Sequence, residues 1–252
     1  MRKSLPHYLG GILYLCVVIS LFSNNLTAQT ALQFDGTNDY LTFGTASALG
    51  TSTFTLECWI YKTGNGATTS TGTGGVTAVP LITKGRGEAE TPANLNMNYF
   101  LGLTSASLLT ADFEDKTNGG NHPITGTTVL SNNVWYHIAA SYDGTTWRIF
   151  LNGNSEATLS VGSFLPENTS IQHAGLGTAM TSTGGAAGFF SGRIEEARIW
   201  NVARTQAEIQ ASMGQEITSG IGLLGRWGLN DGSGTTALNS ISGSPNGTLT
   251  NG

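Results

Sequence analysis

Apolar residues recur at every second position in short blocks separated by glycine, asparagine, aspartate and threonine, a pattern that predicts β-strands. The blocks cover 31–34, 40–43, 54–61, 80–84, 99–103, 108–113, 135–142, 146–151, 157–161, 171–176, 189–200 and 223–229. In 54–61, Phe54, Leu56, Cys58 and Ile60 share one face, while Thr55, Glu57, Trp59 and Tyr61 share the other. Both faces are partly apolar, which fits a strand inside a sandwich and places Cys58 inward as packing. Asp143-Gly144-Thr145 and Asn152-Gly153 are turn signals, so 135–161 reads as an antiparallel meander.

A different rhythm appears once, directly after the strand 189–200. Thr205 is an N-cap with Glu208 three residues on, the spacing of a capping box, and a short helix follows. A helix of so few turns is unstable alone in water and has to dock on the strands before it. The stretches 64–75 and 181–188, rich in Gly, Thr, Ser and Ala, read as flexible surface loops. After 229 the chain is nearly all turn residues, and the pattern predicts no closing strand.

Composition narrows the class. Arg2 and Lys3 precede an apolar run over 9–22, and Leu26-Thr27-Ala28-Gln29 follows. This is the layout of a signal peptide over 1–28, too short to span a bilayer, so the protein is expected to be exported and not integral to a membrane. The chain carries 11 Lys+Arg and 16 Asp+Glu; without Arg2 and Lys3 the balance is 9 against 16, a net charge near −7. No basic stripe gathers anywhere, which excludes nucleic acid as the expected partner. Of the two cysteines, Cys16 falls within the leader, so Cys58 has no partner for a disulfide.

Five segments together resemble one family. They are Leu32-Gln33-Phe34-Asp35-Gly36 through Leu41, then Phe54-Thr55-Leu56-Glu57-Cys58-Trp59-Ile60, then the hairpin from Trp135 to Gly153, then Gly192 through Ile209, and finally Gly222 through Gly234. In this order they are similar to laminin-G-like, concanavalin A-like jelly-roll domains. The resemblance implies an all-β fold of two antiparallel sheets with one short helix near the C-terminus. The domain would cover 29–230, followed by a loop-rich tail over 231–252. It also implies a secreted or cell-surface module that binds a glycan or an extracellular protein. Such domains often hold a structural calcium; the matching positions here are Glu195, Asp35 and the Gly36 carbonyl, with Glu195 where the family more often has Asp.

Glycoside hydrolases share this sandwich, so carboxylates need scrutiny. A retaining hydrolase requires two of them about 5–5.5 Å apart, and the strand motifs of the related hydrolases are missing here. Glu195 and Glu196 are adjacent, and on a regular strand they point to opposite faces. Glu88 and Glu90 fall in a loop, and Asp112, Glu114 and Asp115 read as solvated charge at a strand end. His122 reads as an exposed spectator and His137 as packing. Glu57, Glu196 and Arg198 are candidates for a structural polar network. The alternatives to a binding module are an adhesion or spacer module and a hydrolase of the same fold. Sugar recognition would need exposed aromatics, and Trp59, Tyr61, Tyr99, Trp135, Tyr136, Trp147 and Trp227 form the pool.

Overall fold

The structure, a computed structural model, describes residues 31–89 and 91–252. The expected signal peptide over 1–28, with His7 and Cys16, lies outside the described residues, as does Glu90. Strand alternation produces two packed sheets. One, of seven strands, runs Leu32–Asp35, Ser191–Trp200, Phe54–Lys62, Trp135–Tyr142, Thr146–Leu151, Asn154–Ser160, with Leu223–Trp227 also paired to Ser191–Trp200. The other, of nine, runs Thr236–Ala237, Gly247–Thr250, Tyr40–Gly44, Ala174–Leu176, Thr77–Lys84, Tyr99–Thr104, Leu108–Asp112, Ile124–Val129, with Thr69–Ser70 paired to Thr77–Lys84. The pairing is antiparallel throughout. This is the all-β jelly-roll sandwich expected. Among the described residues no helix is long and apolar enough to cross a membrane.

Between the sheets the inward residues form one apolar cluster that includes Phe34, Leu56, Cys58, Ile60, Ile138, Ile194 and Trp227. Its centre is aromatic: Phe113 and Tyr142 lie 4.5 Å apart and Phe54 meets Trp147 edge-on at 5.4 Å. Tyr99, Trp147 and Trp227 are buried here, so they leave the pool of sugar-facing rings. Cys58 is buried as packing, and burial pushes its thiol up.

The strand Ser191–Trp200 departs from simple alternation. Its core residues Ile194 and Ala197 are three apart, an odd step that period two cannot place on one face. A β-bulge resolves the conflict: Glu195 pairs with Trp59 and Arg198 with Glu57, so Glu196 and Ala197 together oppose Cys58. Glu196 takes a positive φ of 53°. The bulge turns Glu196 toward Arg198 and Arg226, on the same outer face as Glu195, which corrects the expectation that the two glutamates part to opposite faces.

The helix Gln206–Ser212 starts with the predicted capping box, Thr205 and Glu208 each accepting from the other's backbone N–H. It docks on the outside of the seven-stranded sheet through Ile209, packed with Ala139 and Phe150. The tail differs from the reading of 231–252 as loop alone. Gly247–Thr250 pairs with Tyr40–Gly44, and the Trp227 indole N–H donates to the Pro245 carbonyl at 3.1 Å. The two low-complexity stretches are also tied down. Thr69–Ser70 pairs within the nine-stranded sheet, and Ala179–Met180 forms a small ribbon with Ala186–Ala187.

Candidate functional site

The outer face of the seven-stranded sheet splits into a covered half and an open half. Under the helix lies a buried polar network. The Glu57 carboxylate, 0% exposed, accepts from the Trp200 indole at 2.8 Å and from Arg204 at 3.0 Å, with the Arg198 guanidinium 3.6 Å away. Arg198 also donates to Glu196 at 2.8 Å and to the carbonyls of Ser212 and Gln215, binding sheet to helix. Arg226 pairs with Glu196 from the next strand. The network expected of Glu57, Glu196 and Arg198 is thus present, enlarged by two arginines that the sequence pattern did not single out. His137 is buried beside it; burial and the two guanidiniums of Arg198 and Arg204 lower its pKa to about 3, so it is neutral packing.

Beyond the helix the same face stays open, and strand register lines up its side chains. Gln33 pairs with Arg193, Arg193 with Tyr61, and Tyr61 with Trp135, making one row across four strands. Directly paired residues on one face stand within contact distance. The Tyr61 and Trp135 rings lie 5.4 Å apart at 49°, and the Arg193 guanidinium lies 5.5 Å from the Tyr61 centroid. Arg193 Nε donates to Gln33 Oε1 at 3.1 Å, which holds the cation along the row. Tyr61 and Trp135 are half-buried, and Gln33 and Arg193 are exposed. One step along the strands, Trp59 pairs with Glu195 and His137. Its indole N–H donates to the Met213 carbonyl at 2.7 Å, so the segment after the helix fixes its orientation. Trp59, Tyr61 and Trp135 all came from the sequence pool; that they form one surface follows only from the register.

The residues expected to hold calcium are not brought together. Asp35 pairs with Ser191, four residues from Glu195 along the same strand. At ~3.3 Å per residue this separates them by about 13 Å, beyond the reach of one ion's 2.3–2.6 Å oxygen shell. The Asp35 Oδ1 already accepts from the backbone N–H groups of Thr37, Asn38 and Asp39 at 2.7, 3.1 and 3.3 Å, which hold its carboxyl below the usual range. Gly36 lies in that turn with φ 80°. Among the described residues no group of three or more His, Cys, Asp or Glu stands at metal-holding distance. Glu195 is 9% exposed rather than freely solvated, and its pKa is pushed up to about 7 by burial and by the neighbouring Glu196.

The acids at the end of Leu108–Asp112 correct a second expectation. Asp112, Glu114 and Asp115 are buried, not solvated. Thr71 Oγ1 donates to Asp112 Oδ2 at 2.6 Å and the His122 backbone to Oδ1 at 2.9 Å. Glu114 accepts from the Met97 backbone. Asp115 accepts from the backbones of Thr117 and Asn118 and faces His122 Nε2 at 3.1 Å. His122 is no spectator either, since its ring lies 3.9 Å from that of Phe164. Glu88 accepts from Ser182 and Gln172 and pins the loop between them.

Comparison with known proteins agrees with this architecture. The profile described as the concanavalin A-like lectin/glucanases superfamily, of laminin-G type, matches residues 35–210. Pappalysin-1 of Mus musculus is 26% identical over 195 residues, which are 73% of this chain and 11% of that much longer protein. A protein of Bacteroides ovatus described as carbohydrate-binding superposes with a TM-score of 0.59 at 22% identity, covering 88% of this chain and 58% of its own. The CBM40 module of a Ruminococcus gnavus IT-sialidase, bound to α2,3-sialyllactose, superposes with a TM-score of 0.53 at 16% identity, covering 73% of this chain and 96% of its own. At these identities the two superpositions speak to the fold. With the profile spanning most of the described chain, the protein belongs to the concanavalin A-like lectin/glucanase superfamily.

Proposed function

We propose that the protein is an exported, non-catalytic glycan-binding module, with sugar rings stacking on the Tyr61–Trp135 row while Arg193 and Gln33 donate to hydroxyls. The observation that carries this reading is the register-built row, which sets two aromatic faces beside an exposed guanidinium and an amide. Sugar rings need an apolar face for their C–H surfaces and polar partners at the rim. Glycan-binding neighbours of the same fold support the reading, as does the leader-like N-terminus for export. The short match within pappalysin-1 supports a module that operates as part of a longer chain.

A hydrolase needs one carboxylate free to attack and another to protonate. Glu195, with its raised pKa, resembles a proton donor, but its neighbour Glu196 is buried between Arg198 and Arg226 and is not free to reach a sugar. The test is calorimetric titration of glycans into the wild type and Trp135→Ala. Trp135→Ala is expected to weaken binding about tenfold or more, since a central aromatic contact contributes about 2 kcal/mol. EDTA is expected to leave the affinity unchanged. Equal affinities for the two proteins would refute the row as the site, and release of reducing sugar would refute the non-catalytic reading.

A further inference from the structure

A second cleft opens on the opposite side of the sandwich, against the outer face of the nine-stranded sheet. It encloses about 520 Å³ between the strands Tyr40–Gly44 and Gly247–Thr250 and the ribbon Ala179–Met180/Ala186–Ala187. That volume falls within the range of small-molecule sites. Its polar lining is Tyr40, Thr42, His173, Thr183, Asn246 and Thr248, with no carboxylate and no lysine or arginine among the lining residues.

The walls are built rather than loose. The ribbon's turn is tied by the Thr181 hydroxyl, which accepts from the Gly185 backbone at 2.9 Å and lies 3.2 Å from the Thr183 hydroxyl. Gly184 lets this turn approach the histidine, because a Cβ there would come within 3.0 Å of His173 Cε1. At the other wall Gly44 has nothing within 4 Å of where its Cβ would be, so the space above the strand stays open. The Tyr40 ring is braced by Phe189 at 6.3 Å and is half-buried, leaving part of its surface free for contact. Burial and the nearby Lys84 lower the His173 pKa, so at neutral pH the imidazole is an uncharged donor and acceptor.

We propose that this cleft is a second glycan site, separate from the Tyr61–Trp135 row, and that it takes an uncharged oligosaccharide. Hydroxyls, an amide and a neutral imidazole around a tyrosine ring match hydroxyl groups set around an apolar sugar face. The lining residues offer no countercharge to a carboxylate or phosphate, since the nearby Lys84 is fully buried and donates to the Thr45 and Gln172 carbonyls, and burying such a charge without one is costly. With a site on each outer face, the module would engage two strands of a polymer at once and gain avidity.

The test is amide-resolved NMR titration with cellohexaose, maltohexaose and xylohexaose, and with sialyllactose as the anionic comparator. At least one neutral hexaose is expected to shift the amides of Thr42, Thr183 and Thr248, equally in the wild type and in Trp135→Ala. Thr183→Trp, on the exposed turn, is expected to weaken that response about tenfold; His173→Ala, which removes a polar partner without adding bulk, is expected to weaken it as well. The proposal is overturned if no neutral hexaose moves these amides, if sialyllactose alone does, or if Trp135→Ala abolishes the response. Failure of the row as a site would show separately, as an absence of shifts at Tyr61 and Arg193.

Discussion

Glu57 on the seven-stranded sheet and Asp112 on the nine-stranded sheet are both fully buried carboxylates on outer faces, Glu57 covered by a later part of the chain and Asp112 by segments on either side of it. Their surroundings differ. Glu57 is met by Arg204 and Arg198, cations that arrive with the helix and the bulged strand. Asp112 is met by a threonine hydroxyl and backbone N–H groups, all neutral. Burial accordingly pushes the Asp112 pKa up to about 7 against the hydrogen bonds that lower it. The same fold thus surrounds one buried acid with guanidiniums and tunes another toward protonation through burial.

The largest expected effect comes from breaking the first arrangement. Glu57→Gln leaves Arg204 without its carboxylate and Arg198 with Glu196 alone, and chemical denaturation should show a loss on the order of 3–5 kcal/mol. A loss below 1 kcal/mol would mean that the guanidinium bonds to the helix carbonyls suffice without Glu57.

The second arrangement is sharpened by pH. The native protein holds the Asp112 proton more tightly than the unfolded chain, whose carboxyl titrates near its ordinary 3.8. Stability contributed by that proton is complete below about pH 4, falls as pH rises, and is gone above about pH 7. Glu195, pushed up to about 7 by burial and by Glu196, adds a fall in a similar window. Unfolding free energies measured across this range should decline in the wild type by up to about 1.4 kcal/mol per pH unit from Asp112, and Asp112→Asn should flatten that decline. An unchanged slope in Asp112→Asn would sink the assignment.

The smallest effect falls on the helical cover. Thr205→Ala removes half of the capping box and should lower the thermal midpoint by the equivalent of about 1 kcal/mol. Because Met213 receives the Trp59 indole just beyond the helix, tryptophan fluorescence should shift at the same time. A stability change without that spectral shift would separate helix docking from Trp59 positioning.

How much of this was legible in the sequence depends on how many residues each element buries. Phe54–Lys62 and Trp135–Tyr142 bury alternating large apolar residues, so their strands stand out in the pattern. Ile124–Val129 and Gly247–Thr250 bury few residues and are dominated by threonine and glycine, so nothing periodic marks them. The three-residue step from Ile194 to Ala197 was visible, but reading it as strict alternation put Glu195 and Glu196 on opposite faces. Only the observed register reveals the bulge. The buried acids were misread because Asp112, Glu114 and Asp115 are covered by 71–76, 97–98 and 121–122, segments whose glycines and asparagines look like solvent-facing loop. The aromatic row was legible as a set of residues and illegible as a site, since cross-strand neighbours lie far apart in the chain.

The placement of Leu32–Asp35, Tyr40–Gly44 and Gly247–Thr250 has a consequence in time. Leu32–Asp35 waits for Ser191–Ile194 before it gains a sheet partner, and Tyr40–Gly44, flanked on one side by Ala174–Leu176, waits for Thr248–Thr250 on the other. Pairings closed over such long stretches of chain are slow to form. Until Gly247–Thr250 arrives, Tyr40–Gly44 lacks one flanking strand, an unpaired edge that can capture another chain. The protein is therefore most prone to aggregate in the interval before Gly247–Thr250 is in place.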